Sequence, residues 1–313
     1  MVHYWKSQSQ TSRGYLIALI GTAIWSTTAI IIRHLNDSFG LSPMVVAFWR
    51  DFWVAALLWG FFGVFNRSLL RLPRQEARFA LMYGLFLAIF NSLWTVSVSL
   101  NGAAIATVLI YSSAAFTALY ERWFQGARLG IWRWAAIALS LLGSALTAEV
   151  YAAAAWQVNP WGITVGLLSG VAFTGYSLIG KQAVKRGISP WAALTYSFSG
   201  AVIFLGLFNF IGNRASIALT LTHLFELGTS WQGWGWMLLL AAGPSIGGYG
   251  LYTLSLHYLR ASAANLIATL EPSMTAALAY LLLGERFAPA QIAGSILILA
   301  GVVILRYKSD KST

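Results

Sequence analysis

The chain has 313 residues, of which 58% are hydrophobic and only 9% are charged, and its mean hydropathy is +0.69. An ordinary soluble domain carries about 25% charged residues, so this composition excludes the soluble globular class. The formal net charge is +11, and the absence of cysteine excludes disulfides, thiolate metal sites and cysteine nucleophiles.

Ten apolar windows follow one another along the chain, each long enough to cross the hydrocarbon core of a bilayer as a helix. They are Tyr15–Ile32, Met44–Phe65, Phe79–Leu100, Ala103–Phe124, Ile131–Val150, Trp161–Ile179, Trp191–Ile211, Trp234–Leu256, Ala261–Leu283 and Pro289–Leu305. The first window is too long for the apolar region of a signal peptide, and no small-x-small cleavage site follows it. We therefore predict an all-α integral membrane protein with ten transmembrane helices, the first of which is retained.

The basic residues between these windows predict the orientation. If the N-terminus is cytoplasmic, 16 of the 20 Lys and Arg residues fall on that side, and only Arg33, Arg214 and Arg286 fall on the other. The positive-inside rule then predicts a multi-pass protein of the inner membrane with both termini in the cytoplasm. The basic charge is accounted for by topology, so the lipid bilayer is the expected partner and nucleic acid is not.

The chain contains an internal repeat. "LSP" at Leu41–Pro43 returns as "ISP" at Ile188–Pro190, 147 residues later. A shift of 158 residues aligns a second set of residues more closely. That shift places Leu93, Thr95, Ser97, Leu109, Gly126, Arg128 and Gly143 on Leu251, Thr253, Ser255, Ile267, Gly284, Arg286 and Gly301. We predict two five-helix repeats, residues 14–150 and 158–306. Because each repeat has an odd number of spans, the second repeat is inverted relative to the first in the membrane. Inverted repeats are an architecture of transporters.

Charged side chains inside the windows need a partner or a function, because they are costly in hydrocarbon. Arg50 and Asp51 lie in the second window, where neighbours on a helix point about 100° apart. Arg50 is open to three interpretations: structural pairing, snorkelling to the interface, or contact with a substrate carboxylate. Glu271, followed by Pro272, lies in the ninth window, and it is either a carrier of a proton or cation or a permanently paired packing residue.

The eighth window contains too much glycine for an undisturbed helix, from Gly243 to Gly250. Close helix packing through a G-x-x-x-G pair is one explanation, and a bent helix facing a cavity is the other, which we favour. The candidate gating or helix-breaking positions are Pro244, Gly247, Gly248 and Pro272.

Aromatic residues and polar groups occur together in mid-window, a combination that suits an amphipathic organic solute better than a bare ion. Simple bundle packing is the alternative for each of them. The candidate substrate-binding residues are Trp25, Arg50, Asn91, Trp94, Tyr111, Tyr176, Tyr249, Tyr252 and Glu271. The four histidines show no metal-ligand spacing and no phosphate-binding or nucleophile motif is present, so we predict no metal, no cofactor and no enzymatic activity.

Several of these motifs resemble a known family. They are Trp25-Ser26, Ser42-Pro43 followed by Arg50, and, in Thr269–Leu305, Leu270-Glu271-Pro272, Gly284-Glu285-Arg286 and Gln291–Gly301. Over Gly14–Leu146 and Pro160–Leu305 the chain resembles the paired EamA-type domains of the drug/metabolite transporter superfamily. The first copy departs from the pattern, because Ser113-Ala114 replaces Glu-Pro and Gly126-Ala127-Arg128 replaces Gly-Glu-Arg.

The resemblance implies a ten-helix bundle whose halves enclose a cavity and move small metabolites by alternating access, often outward. Similar proteins export amino acids, including aromatic ones. We therefore expect a secondary transporter that exports amino acids or similar small metabolites, with protons as a candidate coupling ion. Efflux of lipophilic cationic drugs is the alternative within transport. A membrane protein that does not transport, such as a lipid scramblase, is the alternative outside it.

Overall fold

A computed structural model describes residues 2–41, 43–127, 130–150, 159–214, 228, 230–283 and 288–309, and these residues form helices and no strand. The all-α class predicted from the apolar windows is therefore confirmed. Some motif positions named above lie outside the described residues, namely Ser42, Arg128 and Gly284-Glu285-Arg286.

The described part of the chain contains thirteen α-helices. They are α1 (Val2–Trp25), α2 (Thr28–Phe39), α3 (Pro43–Phe65), α4 (Ala77–Tyr111), α5 (Ser113–Phe124), α6 (Ile131–Thr147), α7 (Pro160–Lys185), α8 (Pro190–Arg214), α9 (Trp231–Leu240), α10 (Gly250–Ser255), α11 (Ala261–Ala268), α12 (Glu271–Leu283) and α13 (Pro289–Ser309). A π-helical segment, Ala241–Tyr249, joins α9 to α10.

Seven segments within the described ranges are long and apolar enough to cross a membrane. They are Gln10–Ile32, Met44–Phe65, Arg74–Val98, Pro160–Lys185, Pro190–Phe208, Trp231–Ser255 and Pro289–Tyr307, and Ile131–Thr147 is a shorter apolar helix. The other two predicted windows hold helices that are interrupted part-way, at Ser112 and at Thr269–Leu270. The count of ten spans therefore stays a prediction.

Helix α4 covers both the third predicted window and the start of the fourth, and it is sharply bent. A Cβ added to Gly166 would lie 2.6 Å from Ser97 Oγ and 3.0 Å from Leu109 Cβ. In a straight helix twelve residues extend about 18 Å, so Ser97 and Leu109 could not both contact one glycine. The chain therefore changes direction between these two residues, where the third and fourth windows were predicted to meet.

The two halves pack against each other reciprocally. The first helix of each half lies against the third helix of the other, α1 against the π-helical segment and α10, and α7 against α4. Equivalent helices also meet, α3 with α8 and α6 with α13. This reciprocity is what an approximate two-fold axis between two repeats requires.

The basic loops lie together at one end of the bundle, which we call the basic face. Arg186 Nη1 lies 2.6 Å from Glu76 Oε2, the Arg13 guanidinium lies 5.6 Å from the Tyr258 ring centroid, and Lys181 Nζ donates to the Leu259 carbonyl at 2.7 Å. Aromatic rings in contact mark the other end, which we call the opposite face: Trp49 and Trp234 meet edge to face with centroids 4.8 Å apart, and His34 and Trp236 are tilted with centroids 4.6 Å apart.

Close packing between α6 and α13 depends on glycine, and this contact provides a test of the fold. A Cβ added to Gly143 would lie 2.5 Å from Gly294 O and 2.9 Å from Ile298 N, which are backbone atoms that cannot turn away. Gly143→Ala should therefore lower Tm. The matched control is Gly63→Ala in α3, where a Cβ meets nothing within 4 Å, and it should leave Tm unchanged or slightly higher. Equal Tm values for the two variants would contradict this packing.

Candidate binding site

Three helix interruptions form the framework of the candidate site: Ser26-Thr27, Ser112 and Thr269-Leu270. At each one a hydroxyl side chain donates to the carbonyl three residues earlier, at 2.7 Å from Ser26, 2.6 Å from Ser112 and 2.6 Å from Thr269. At Ser112 and Thr269 the backbone amide of the same residue bonds that carbonyl as well, so backbone and side chain close each turn together. Ser112 and Leu270 are equivalent under the 158-residue shift, so both halves are interrupted at the same place.

The interruptions converge on Glu271. Glu271 begins α12, and its Oε2 accepts a hydrogen bond from the Tyr111 hydroxyl at 2.8 Å. Thr275, one turn further along α12, donates to the Ser26 carbonyl at 3.0 Å. Pro272 lies in the first turn of α12, where proline is tolerated. The preceding helix, α11, has already ended at Ala268, so the proline does not kink a continuous helix. Glu271 and Tyr111 are thus joined across the two repeats.

An aromatic cluster lies beside these residues. Ring centroids are 4.3 Å apart for Trp25 and Tyr249, 6.0 Å for Trp25 and Tyr252, and 6.2 Å for Tyr176 and Tyr249. Phe173, which sequence analysis did not select, lies 5.7 Å from Tyr252. The three tyrosines are buried, whereas Trp25 is partly exposed. The structure therefore brings four of the predicted residues into one aromatic wall.

Arg50 belongs to a second, compact group. Its Nε donates to Asp51 Oδ1 at 2.9 Å, and Asn91 Nδ2 donates to Asp51 Oδ2 at 2.7 Å. Although neighbours on a helix point apart, the long Arg50 side chain turns back to its own neighbour. Asp51 is fully buried, so its charge requires this compensation.

A cavity of about 20 Å³ adjoins the Arg50 group, and Arg50, Asn91, Trp94 and Thr95 line it. That volume has room for about one water molecule and not for a metabolite. Trp94 lies here rather than in the aromatic cluster. The predicted residues therefore form two neighbouring groups.

The two groups differ in how their charged side chains are compensated. The charge of Arg50 is compensated by Asp51, whereas Glu271 forms no ion pair with any described residue. Of the two groups, the one at Glu271 is therefore the one whose ionisable side chain has no described counter-charge.

A buried polar network on the basic-face side was missed from the sequence. The Tyr252 hydroxyl lies 2.6 Å from Ser177 Oγ and 2.5 Å from Asn265 Oδ1, and its single proton can be donated to one of them at a time. Asn265 Nδ2 donates to Thr117 Oγ1 at 2.8 Å, which joins the second repeat to the first. Asn265 could have been selected from the sequence, because an amide inside an apolar window is costly in hydrocarbon unless it is paired.

The glycine-rich eighth window is both distorted and tightly packed. Pro244 lies inside the π-helical segment, and Ser245 Oγ donates to the Leu240 carbonyl at 2.8 Å. A Cβ added to Gly248 would lie 2.9 Å from Trp25 Cβ, and one added to Gly247 would lie 3.0 Å from Ile24 Cγ2. These glycines let α1 approach the segment closely, while a gating role for them stays a prediction.

The Arg50 group predicts a specific stability effect. Asp51→Asn should leave the Arg50 charge buried and uncompensated, at a cost of about 3–5 kcal/mol in the free energy of unfolding. Adding Arg50→Met should recover part of that loss, because the double variant buries no charge. Thermal denaturation of the purified proteins measures both effects. A double variant that loses the sum of the two single losses would show that the pair is not coupled.

Comparisons with known proteins agree with this architecture. The EamA-like transporter family matches twice, at residues 12–148 and 160–307. An uncharacterized transporter of Synechocystis sp. is 25% identical over 91% of this chain and 84% of its own length, and one of Archaeoglobus fulgidus is 24% identical over 93% and 95%. The uncharacterized inner membrane transporter YicL of Salmonella typhimurium is 22% identical over 96% of this chain and 97% of its own.

One solved crystal structure of a protein shares the fold. Its TM-score is 0.71 at 16% identity, and the alignment covers 96% of this chain and 99% of that chain. At this identity the similarity supports the fold alone. The two family matches cover most of the sequence, and the chain belongs to the EamA-like transporter family.

Proposed function

We propose that this membrane transporter exports amino acids or similar small amphipathic metabolites by alternating access, with its basic face in the cytoplasm. The observation that carries the proposal is the convergence of three interrupted helices on the Tyr111–Glu271 pair. Interrupted helices lining a central site are how many transporters bind solutes within the bilayer.

The chemistry of the site favours a solute with an ammonium group and an apolar part. Glu271 has no counter-charge among the described residues, so it can accept a cationic group. In the adjacent wall Trp25 is partly exposed and packs on the buried Tyr249 and Tyr252, so its aromatic ring can contact an apolar side chain. An amino acid carries both features. Its carboxylate would have to share Arg50 with Asp51, since those two side chains already pair.

Efflux of lipophilic cations is the second candidate, and the Arg50–Asp51 pair is the observation that favours it. Because Asp51 compensates Arg50, the site needs no anionic group on the solute. A cation could bind through Glu271 and the face of Trp25 by charge attraction and cation–π interaction. We expect no enzymatic activity in either case.

Glu271 is the proposed coupling residue, and its neutralisation tests this role. In proteoliposomes Glu271→Gln should lose solute transport driven by a pH gradient and retain solute exchange, because the amide cannot release a proton. Tyr111→Phe removes the hydrogen bond to Glu271 but keeps the carboxylate, so it should retain pH-driven transport. Unchanged pH dependence in Glu271→Gln would refute the coupling role.

The solute class is tested by the thermal stability of the purified protein. A ligand that binds the folded state raises Tm, so amino acids, purines and quaternary ammonium compounds can be compared directly. We expect large neutral or aromatic amino acids to raise Tm in the native protein and not in Trp25→Leu. The control Trp161→Leu removes a tryptophan that is 73% exposed and should keep the response. Stabilisation by the quaternary cations alone would favour drug efflux.

A further inference from the structure

The basic face contains a second cavity, separate from the candidate site. It has a volume of about 390 Å³, and its lining includes Glu121, Gln125, Lys181, Lys185 and Arg260. Glu121 and the adjoining Gln125 come from α5 in the first repeat, whereas the three basic residues come from the second. The cavity therefore lies where the two repeats meet.

Two of its charged side chains already have partners in the fold. Glu121 accepts hydrogen bonds from the Ser262 amide at 3.1 Å and from the Ser262 hydroxyl at 2.6 Å, so it caps the start of α11. Lys181 donates to the carbonyls of Leu256 and Leu259, just beyond α10. Those carbonyls carry no formal charge, so the ammonium charge of Lys181 is not neutralised by them, and one of its three protons is free of them.

Lys185 and Arg260 are exposed, and neither forms an ion pair with any described residue. Three basic side chains therefore face one carboxylate, which is already bound to Ser262. Positive potential also extends to a neighbouring residue: burial lowers the pKa of the His257 imidazole, and the Lys181 charge lowers it further. The cavity has the electrostatics of an anion site.

The depth of the cavity in the bilayer is indicated by the residues before Gln125. Trp123 is 70% exposed and Phe124 is 73% exposed, and Phe124 stacks on Tyr120 with centroids 4.9 Å apart. Exposed aromatic residues at the end of a membrane helix lie at the level of the lipid headgroups. The cavity mouth is therefore at the depth where phospholipid phosphates lie.

We propose that this cavity binds the phosphate group of an anionic ligand between the two repeats, with Lys181, Lys185 and Arg260 as its basic contacts. Basic pockets between helices on the cytoplasmic side of membrane proteins bind anionic headgroups, and the exposed Trp123 and Phe124 offer an apolar surface for acyl chains. The proposal does not depend on which solute the central site transports.

The test compares the Tm of the full-length protein in phosphatidylcholine alone, with added phosphatidylglycerol, and with added inorganic phosphate. We expect phosphatidylglycerol to raise Tm by about 3 °C or more, and Lys185→Gln/Arg260→Gln to abolish that rise. The matched control, Arg71→Gln/Arg74→Gln, removes two exposed charges from the same face away from the cavity and should keep it.

Each outcome bears on the proposal. A rise with phosphatidylglycerol alone identifies a lipid headgroup as the source, and a rise with inorganic phosphate that is lost in the cavity variant identifies a soluble anion. No rise with either compound, or an equal loss in both double variants, would refute a specific site. Should Lys185→Gln/Arg260→Gln be unstable in phosphatidylcholine alone, Lys185→Arg/Arg260→Lys keeps both charges and must retain the response.

Discussion

The structure depends on one constraint: in a bilayer every backbone polar group must find a partner within the protein. Three of the apolar windows are nevertheless interrupted, and at each interruption a serine or threonine hydroxyl donates to the carbonyl three residues earlier. At Ser112 and Thr269 the backbone amide bonds the same carbonyl, so backbone and side chain close the turn together. The small polar residues in the apolar windows therefore have a structural role besides any contact with solute, and one of them, Thr269, lies just before Glu271 begins a new helix inside the bundle.

Charge within the bundle is distributed unequally between two sites. Arg50 and Asp51 neutralise each other one residue apart, with Asn91 satisfying the remaining carboxylate oxygen. Glu271 has a tyrosine hydroxyl as its described partner and no cation. A buried carboxylate without a cation is stable only if it is protonated or bound to something that comes and goes. This asymmetry is the reason that we propose Glu271, rather than Arg50, as the residue whose state changes during a transport cycle.

Patterns along the chain were enough to predict the fold class, whereas contacts across the bundle were missed. The all-α membrane fold came from the apolar windows, and the repeat came from shared residues such as Gly143 and Gly301, which both lie where α6 packs on α13. Trp25, Tyr249 and Tyr252 were selected individually because they are aromatic and lie in mid-window. The pairing of Arg50 with its own neighbour, and the bond from Asn265 to Thr117, depend on rotamers and on helix contacts that no periodicity encodes.

The contacts between the repeats suggest how separation of the repeats at one face would change the structure around Glu271. Three hydrogen-bonded residue pairs join them along one seam, Tyr111 with Glu271, Asn265 with Thr117 and Ser262 with Glu121, in order towards the basic face. If the repeats separate at the basic face, the Ser262 and Asn265 bonds must break before a solute can pass. Because α11 and α12 are joined only through Thr269-Leu270, moving α11 away from α5 strains the join beside Glu271. The cavity proposed to bind phosphate lies at the basic-face end of this seam, because Glu121 and Arg260 both line it, so moving α11 away from α5 would change the shape of the proposed phosphate site.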